Sequence, residues 1–128
     1  MDDPIVVNDL HKSFGKQTVL NGIGFEVKHG ETLAVMGRSG TGKSVLLKLL
    51  IGLQSPDSGS ITVNGQQMVN LEEDKKNEIR KKMGFLFQQA ALYDSLTVEE
   101  NVAFPISRHT DMPAEKRKEK ARELLESV

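Results

Sequence analysis

Cysteine and tryptophan are absent from this chain of 128 residues, and aromatic side chains make up only 5% of it. Without cysteine, a disulfide framework and a thiolate metal site are both excluded, and the composition fits a reducing cytosol. The longest mostly apolar stretch, Val45 to Leu53, is far too short to span a bilayer. The acidic N-terminus, Met1 to Pro4, has no apolar segment behind it and does not look like a secretory signal. Any link to a membrane is therefore expected to pass through a partner.

An excess of charge of either sign is also lacking. The 17 basic and 18 acidic side chains leave a formal net charge of −1, so no nucleic-acid partner is expected. The three histidines have no metal-ligand spacing and are expected at the surface. The length allows one domain at most, and 38% hydrophobic residues is an ordinary globular composition.

One glycine-rich motif is present, and the other predicted elements can be placed relative to it. The segment Gly37 to Ser44 reads G-x-x-x-x-G-K-S, the Walker A or P-loop pattern. Its glycines let the backbone N–H groups turn inward around a phosphate, and a helix beginning near Gly42 adds the positive end of its dipole. Lys43 would reach the β- and γ-phosphates, and the Ser44 hydroxyl would bind Mg²⁺. The alternative is a glycine-rich turn with a solvated lysine. The predicted nucleotide-binding residues here are Gly37, Arg38, Ser39, Gly40, Thr41, Gly42, Lys43, Ser44 and Val45.

A P-loop requires a buried strand before it and a helix after it. The apolar run 32–36 suits a parallel strand. From Ser44 to Leu53 nearly every residue is apolar, which predicts a helix buried on most of its surface and ended by Gly52.

Antiparallel strands are predicted on either side of this core. Ile5 to Val7 begins a strand, followed by a bend at His11 to Gly15 that carries an exposed Phe14. Two further strands are predicted, one at Val19 and Leu20 and one over residues 23–27, where apolar and polar residues alternate. The pair Asn64-Gly65 is a strong hairpin signal. These elements predict a small antiparallel sheet beside the P-loop core.

The second half begins with a charged segment, 72–82, interpreted as a helix with a solvated face. The apolar run 83–87 predicts a strand that ends at Gln88, with Gln89 a polar strand end. Thr97 and Glu100 form a capping box, so a helix is expected from about Val98 to Phe104, where Pro105 disrupts it. A loop through Arg108, His109 and Asp111 follows.

A last helix is predicted to open at Pro113. It reaches the final residue without a C-terminal cap, so the chain is expected to have been cut rather than finished. Its predicted apolar face consists of Ala114, Ala121, Leu124, Leu125 and Val128.

The order of these motifs resembles the nucleotide-binding domain of ATP-binding cassette (ABC) transporters over nearly the whole chain. Besides the P-loop, the matches are Phe14 at the position of the A-loop aromatic, Ser58-Gly59-Ser60-Ile61 with Asn64-Gly65, and Gly84 to Gln88 as the Q-loop strand. The segment Gly40 to Lys48 and the segment Asn101 to Pro105 look most like the lipid-asymmetry (Mla-type) phospholipid transporters. GTPases and P-loop kinases lack this order.

The resemblance implies an α/β fold: a P-loop NTPase of ABC type with a parallel core sheet, a flanking antiparallel β-subdomain and the start of a helical subdomain. The antiparallel strands would occupy 1–30 and 60–70, the P-loop core 31–55 and 83–88, and the helical subdomain 89–128. Phe14 would stack on adenine, although a core aromatic is the alternative. Lys43 and Gln88 would be catalytic, and Gln88 would contact Mg²⁺ and the attacking water, unless it is only a polar strand end.

The implied function is that of an ATP-dependent transporter subunit that binds ATP and Mg²⁺ and serves a lipid-like substrate at a bacterial envelope. Its partners would be a second copy, arranged head to tail, and membrane permease subunits contacting Gln88 to Pro105. It would lie in the cytoplasm on the inner face of the membrane. The alternatives are a soluble ABC ATPase of DNA repair or translation, and a nucleotide-binding module without catalysis.

Two residues depart from the family pattern, and several of the family's later motifs are missing. Val45 replaces the common Thr and leaves only its backbone N–H for the α-phosphate, and Phe14 lacks the hydroxyl of the commoner Tyr. The signature motif, the Walker B carboxylate with its catalytic Glu, the D-loop and the switch His are not found within residues 1–128. The segment Ala90 to Asp94 imitates a Walker B strand but is rejected, because Ser95 rather than an acid follows it.

Overall fold

The computed structural model describes residues 4–128 and divides the chain into two compact units. The first ends at Met83 and the second covers Gly84–Val128. In the described part of the chain, no helix has the length and apolar character that a membrane span requires.

The first unit contains a four-stranded antiparallel sheet. Its strands are β1 (Ile5–Phe14), β2 (Gln17–Val27), β3 (Ser58–Val63) and β4 (Gln66–Gln67), in the spatial order β2-β1-β3-β4. The β3–β4 turn is the predicted one: Asn64 and Gly65 have φ of 47° and 74°, the left-handed pair that a type I′ hairpin requires. The predicted antiparallel sheet is confirmed.

Strand β1 is longer than expected, and the predicted bend at His11 to Gly15 is wrong. The strand continues to Phe14 because its irregularities are bulges rather than an end. The register with β2 shifts between Val7 and Leu10 and again beyond, and Asp9 has a φ of 44°. A bulge bends a strand while pairing resumes on its far side. For the same reason, the two short strands expected between Val19 and Val27 form one strand, β2, which continues through Gly22 at φ 73°.

Two helices pack on this sheet, α1 (Lys43–Leu50) and α2 (Glu73–Arg80). Helix α1 begins and ends where predicted, with Gly42 before it and Gly52, at φ 68°, after it. The expectation that α1 is buried on most of its surface is wrong, because one face packs against the sheet while Leu47 on another face is 44% exposed. The shared core consists of Val7, Leu10, Leu20, Leu46, Leu49, Leu50, Ile61, Val63, Met68 and Ile79.

The segments 32–36 and 83–87, predicted as parallel core strands, form no strand in the described residues. A β-strand exists only where its N–H and C=O groups pair with a neighbouring strand, and no described strand pairs with either segment. Leu33 and Val35 are accordingly 43% and 42% exposed. The prediction of strands from apolar composition is therefore wrong for these segments, because a strand also requires a pairing partner elsewhere in the chain.

The second unit is built from α3 (Val98–His109) and α4 (Ala114–Glu126), which pack against each other. The capping box at the start of α3 is confirmed: Glu100 N donates to Thr97 Oγ1 at 3.2 Å, and Thr97 N donates to a Glu100 carboxylate oxygen at 2.7 Å. The predicted end at Phe104 is wrong, since α3 passes through Pro105 and includes Arg108 and His109. A proline removes one helical hydrogen bond, and the turns on both sides of it remain bonded.

Helix α4 begins directly after Pro113, as predicted. Of its predicted apolar face, only Ala121 is fully buried, whereas Leu124 is 45% exposed and Val128 is fully exposed. Within the described second unit, α3 is the helix that packs against α4. Because a single neighbouring helix covers only part of an apolar face, the remaining apolar side chains of α4 stay exposed.

Candidate functional site

The P-loop is a turn closed by hydrogen bonds among its own residues. The backbone N–H and the hydroxyl of Thr41 both donate to the Arg38 carbonyl, at 3.3 and 2.7 Å. The Lys43 ammonium folds back over the loop and donates to the Gly37 carbonyl at 2.7 Å and to the Arg38 carbonyl at 3.3 Å. An ammonium has three donors, so one remains for an anion held by the loop.

Two glycines make this turn possible. Gly42 has a φ of 81°, and a Cβ placed on it would lie 2.2 Å from Val19 Cγ1. A Cβ on Gly37 would lie 2.6 Å from the Thr41 hydroxyl oxygen. A side chain at Gly37 would collide with Thr41 of the loop, and one at Gly42 would collide with Val19 of β2, so the path of the backbone requires glycine at both positions. Glycine at such positions is typical of a loop whose backbone closes around a phosphate.

Helix α1 presents its N-terminus at the end of this loop. Its first residues are Lys43, Ser44 and Val45, none of them acidic, and no described side chain caps the helix at Gly42. Uncapped N–H groups and the positive end of the helix dipole favour an anion here. The arrangement can bind phosphate oxygens through the backbone and the Lys43 ammonium together.

The residues at the P-loop fit Mg²⁺ only if a bound phosphate supplies further oxygen ligands. The Ser44 hydroxyl is exposed at the start of α1, but residues 4–128 contain no cluster of three or more His, Cys, Asp or Glu side chains that could hold a metal ion. Protein-bound Mg²⁺ commonly uses one or two protein oxygens and completes its octahedron with phosphate and water. Ser44 would supply one such oxygen.

Phe14 lies at the end of β1 and is 47% exposed, so the alternative of a core aromatic is wrong. The Lys12 ammonium lies 5.2 Å from the centroid of its ring. This exposed aromatic ring can stack against a planar group of a ligand.

Gln88 belongs to the second unit and is exposed, as is Gln89. The position of Gln88 relative to the P-loop stays a prediction. The rejected Walker B imitation, Ala90 to Asp94, forms no strand.

Two residues that support the site were missed by the sequence interpretation. Arg80, in the segment assigned a solvated face, donates from Nε to the Ile51 carbonyl and from Nη2 to the Gly52 carbonyl, both at 2.8 Å. It thereby satisfies carbonyls at the C-terminal end of α1. Asp57 binds the end of β1. Neither contact had a spacing signal, because the partners lie 28 to 45 residues apart.

A mostly apolar cleft of about 540 Å³ adjoins the P-loop in the first unit. Its lining makes it unsuited to a triphosphate, which needs donors rather than hydrocarbon. It is lined chiefly by Leu20, Ile23, Phe25, Leu33, Val35 and Met36, with Gly37, Thr41 and Lys43 at the P-loop side.

Comparison with known proteins gives a consistent family. A family model described as "ABC transporter" matches residues 20–128. The chain is 42% identical over 108 residues to the protein TRIGALACTOSYLDIACYLGLYCEROL 3, chloroplastic, of Arabidopsis thaliana, covering 84% of this chain and 31% of that protein. It is 38% identical over 126 residues to the methionine import ATP-binding protein MetN of Brucella abortus, covering 98% and 34%.

A solved structure supports the same fold. The ATP-binding cassette MJ0796, in a dimeric post-hydrolysis state bound to ADP and Pi, aligns with a TM-score of 0.86 and 31% identity, covering 95% of this chain and 56% of that one. This likeness confirms the predicted α/β fold of ABC type with its antiparallel β-subdomain. The chain spans about a third of the length of the curated relatives it matches. Its fold, its P-loop and a family match over most of its length show that the chain belongs to the ABC transporter family.

Proposed function

We propose that this chain binds ATP, with the phosphates held by the P-loop and the first turn of α1. The observation that carries the proposal is the Lys43 ammonium, folded over the Gly37 and Arg38 carbonyls directly in front of an uncapped helix N-terminus. Three independent contributions therefore converge on one anion: backbone donors, helix dipole and a fixed positive charge.

Each remaining site residue has a role in this proposal. The backbone N–H groups from Arg38 to Val45 surround the phosphates, and Ser44 contributes an oxygen to Mg²⁺, which supplies charge neutralisation at the phosphates. Phe14 stacks on adenine through its exposed ring. Gln88 is assigned to Mg²⁺ and the attacking water on the basis of its position in the Q-loop segment.

At the level of the whole protein, the proposed function is an ABC transporter ATPase subunit that acts as a head-to-tail dimer on the inner face of a cell membrane. The dimeric MJ0796 structure with bound ADP and Pi supports both the dimer and the nucleotide. The segment Gln88 to Pro105 is proposed to contact the membrane permease subunits, and it exposes the apolar side chains Leu92, Tyr93 and Val98.

The proposed substrate class is a phospholipid or another lipid-like molecule at a bacterial envelope. The name of the Arabidopsis relative contains that of a glycerolipid, which supports this class. The methionine import relative favours a small polar solute as a second candidate. In the assembled transporter, stimulation of ATP turnover by phospholipid vesicles but not by methionine would support the lipid assignment, and the reverse result would contradict it.

Nucleotide binding is tested by titrating the chain with ATP and with inorganic tripolyphosphate. Lys43→Ala removes charge-assisted hydrogen bonds worth roughly 1.5–3 kcal/mol, so both affinities should fall at least about tenfold. Lys48→Ala removes the same charge from the last turn of α1 and serves as the matched control. Unchanged affinity in Lys43→Ala would contradict the proposed phosphate site.

A further inference from the structure

The carboxylate of Asp57 holds the end of the strand that carries Phe14. Asp57 lies between α1 and β3, and its Oδ2 accepts a hydrogen bond of 2.6 Å from the Ser13 backbone N–H. Its Oδ1 lies 3.4 Å from the Lys12 ammonium. Its own backbone N–H donates to the His11 carbonyl at 2.9 Å. Asp57 therefore binds three consecutive residues immediately before Phe14.

This contact also determines where the Lys12 charge lies. The Lys12 ammonium bridges the Asp57 carboxylate and the Phe14 ring, at 3.4 Å from the first and 5.2 Å from the ring centroid. Only 17% of the Lys12 side chain is exposed, against 47% for Phe14. The cation thus occupies one face of the ring as a cation–π partner, and the exposed part of the ring remains for a ligand.

A stacking platform works best when its ring is already fixed. Phe14 is next to the two-residue turn at Gly15 and Lys16, where a free side chain would rotate and lose entropy on binding a base. A cation held against one face removes that freedom before the ligand arrives, and preorganisation of this kind lowers the cost of binding.

We propose that Asp57 and Lys12 are positioning residues for the adenine base: Asp57 anchors the Lys12 ammonium against one face of Phe14, and the base stacks on the other face. This proposal rests on the proposed function, since it requires Phe14 to bind adenine. It adds two residues that the P-loop pattern does not contain. It also links the base platform to the segment that follows α1.

The test compares ATP with inorganic tripolyphosphate, which has no base. Lys12→Met keeps the apolar stem and removes the cation, so the Phe14 ring is no longer fixed before binding and ATP affinity should fall about two- to tenfold, the range expected for ordering one side chain on binding. Lys12→Arg keeps a cation over the ring and should restore binding. Lys16→Met removes the same charge from the adjacent turn and should change ATP and tripolyphosphate binding equally. Asp57→Ala should lower ATP affinity at least as much as Lys12→Met, with tripolyphosphate binding unchanged.

A double-variant cycle with Phe14→Ala gives a readout that a purely structural role would not move. In the Phe14→Ala background, Lys12→Met should cause no further loss of ATP affinity. A loss of the same size in that background, or an equal loss with tripolyphosphate, would overturn the positioning role while leaving the proposed function intact. If Phe14→Ala itself leaves ATP affinity unchanged, the adenine assignment fails as well. Circular dichroism checks folding, and if Asp57→Ala does not fold, the two Lys12 variants decide the question.

Discussion

Gly42 connects the P-loop to α1 in a backbone conformation that other residues adopt only at a cost. Its φ of 81° lies in the left-handed region, and Val19 of β2 packs where a side chain would start. The glycine required by the motif therefore has two separate physical reasons. One is conformational and could be anticipated from the pattern, while the other is the close approach of β2, which depends on tertiary structure.

Gly42→Ala is expected to lower the free energy of unfolding by more than the roughly 1–2 kcal/mol of the left-handed backbone alone, because the new Cβ would lie 2.2 Å from Val19 Cγ1. ATP affinity should fall with it. Gly30→Ala is the matched control, since Gly30 has a φ of 77° with nothing within 4 Å of an added Cβ. Urea unfolding of both variants measures the difference. Equal destabilisation would show that Val19 moves aside at little cost.

At the scale of elements, α1 and α2 are joined by Arg80. Its guanidinium group satisfies the Ile51 and Gly52 carbonyls and also binds Glu73 on its own helix. The hydrogen bond from Arg80 lowers the pKa of the Glu73 carboxyl. A segment that reads as a solvated charged face thus closes the C-terminal end of the P-loop helix.

Arg80→Met is expected to lower the free energy of unfolding by about 1–3 kcal/mol, because two half-buried carbonyls lose a charged donor. Lys81→Met removes the same charge next to it, where the ion pair with Glu78 is more exposed, and should cost less than about 1 kcal/mol. Thermal unfolding followed by circular dichroism compares the two. If both variants lose the same stability, charge rather than capping explains the effect.

The capping box of α3 predicts a pH dependence. The hydrogen bond from the Thr97 backbone N–H, followed by that with the Thr97 side chain, lowers the pKa of Glu100 below its ordinary 4.5. A lowered pKa in the folded state means that the stabilising contribution is complete above pH 4.5 and is lost as the pH falls through the folded-state pKa.

Glu100→Gln should therefore be less stable than the unmodified chain at neutral pH, and the difference should shrink as the pH falls below 4.5. Thermal unfolding from pH 3 to pH 7 (roughly the window around an ordinary carboxyl pKa) measures this difference. Glu119→Gln, on α4, removes the same charge outside the capping box and serves as the control. A difference that stays constant with pH would contradict a role for the ionised Glu100 carboxylate.

At the scale of the whole molecule, residues 1–128 contain the proposed phosphate-binding loop, and we infer that they lack the groups that complete hydrolysis. In the proposed function the P-loop positions phosphates and neutralises charge, but transfer to water also requires a group that orients the nucleophile. The family resemblance places that group after a Walker B strand, and the sequence patterns predict no such motif within residues 1–128.

The chain by itself is therefore expected to bind ATP and Mg²⁺ weakly and to release no phosphate at steady state. A phosphate-release assay should compare it with a longer chain that carries a Walker B carboxylate and a signature motif. Turnover by residues 1–128 that disappears in Lys43→Ala would show that these residues contain an unrecognised catalytic carboxylate.

The features that could be predicted from the sequence are those in which neighbours along the chain decide the conformation. Gly37 to Ser44, the Asn64-Gly65 turn and the Thr97 to Glu100 capping box each close within a few residues, so their spacing is enough to predict them. Pro113 before α4 and Gly52 after α1 belong to the same group.

The features that depend on a distant partner could not be predicted from local patterns and are seen only in the three-dimensional structure. Whether 32–36 and 83–87 form strands depends on a neighbouring strand, and which face of α1 is buried depends on the sheet it packs against. Asp57 reaches Ser13 across 44 residues, and Arg80 reaches Ile51 across 29. No local pattern encodes such pairs, because a hydrogen bond between distant residues depends on the path of the whole chain between them.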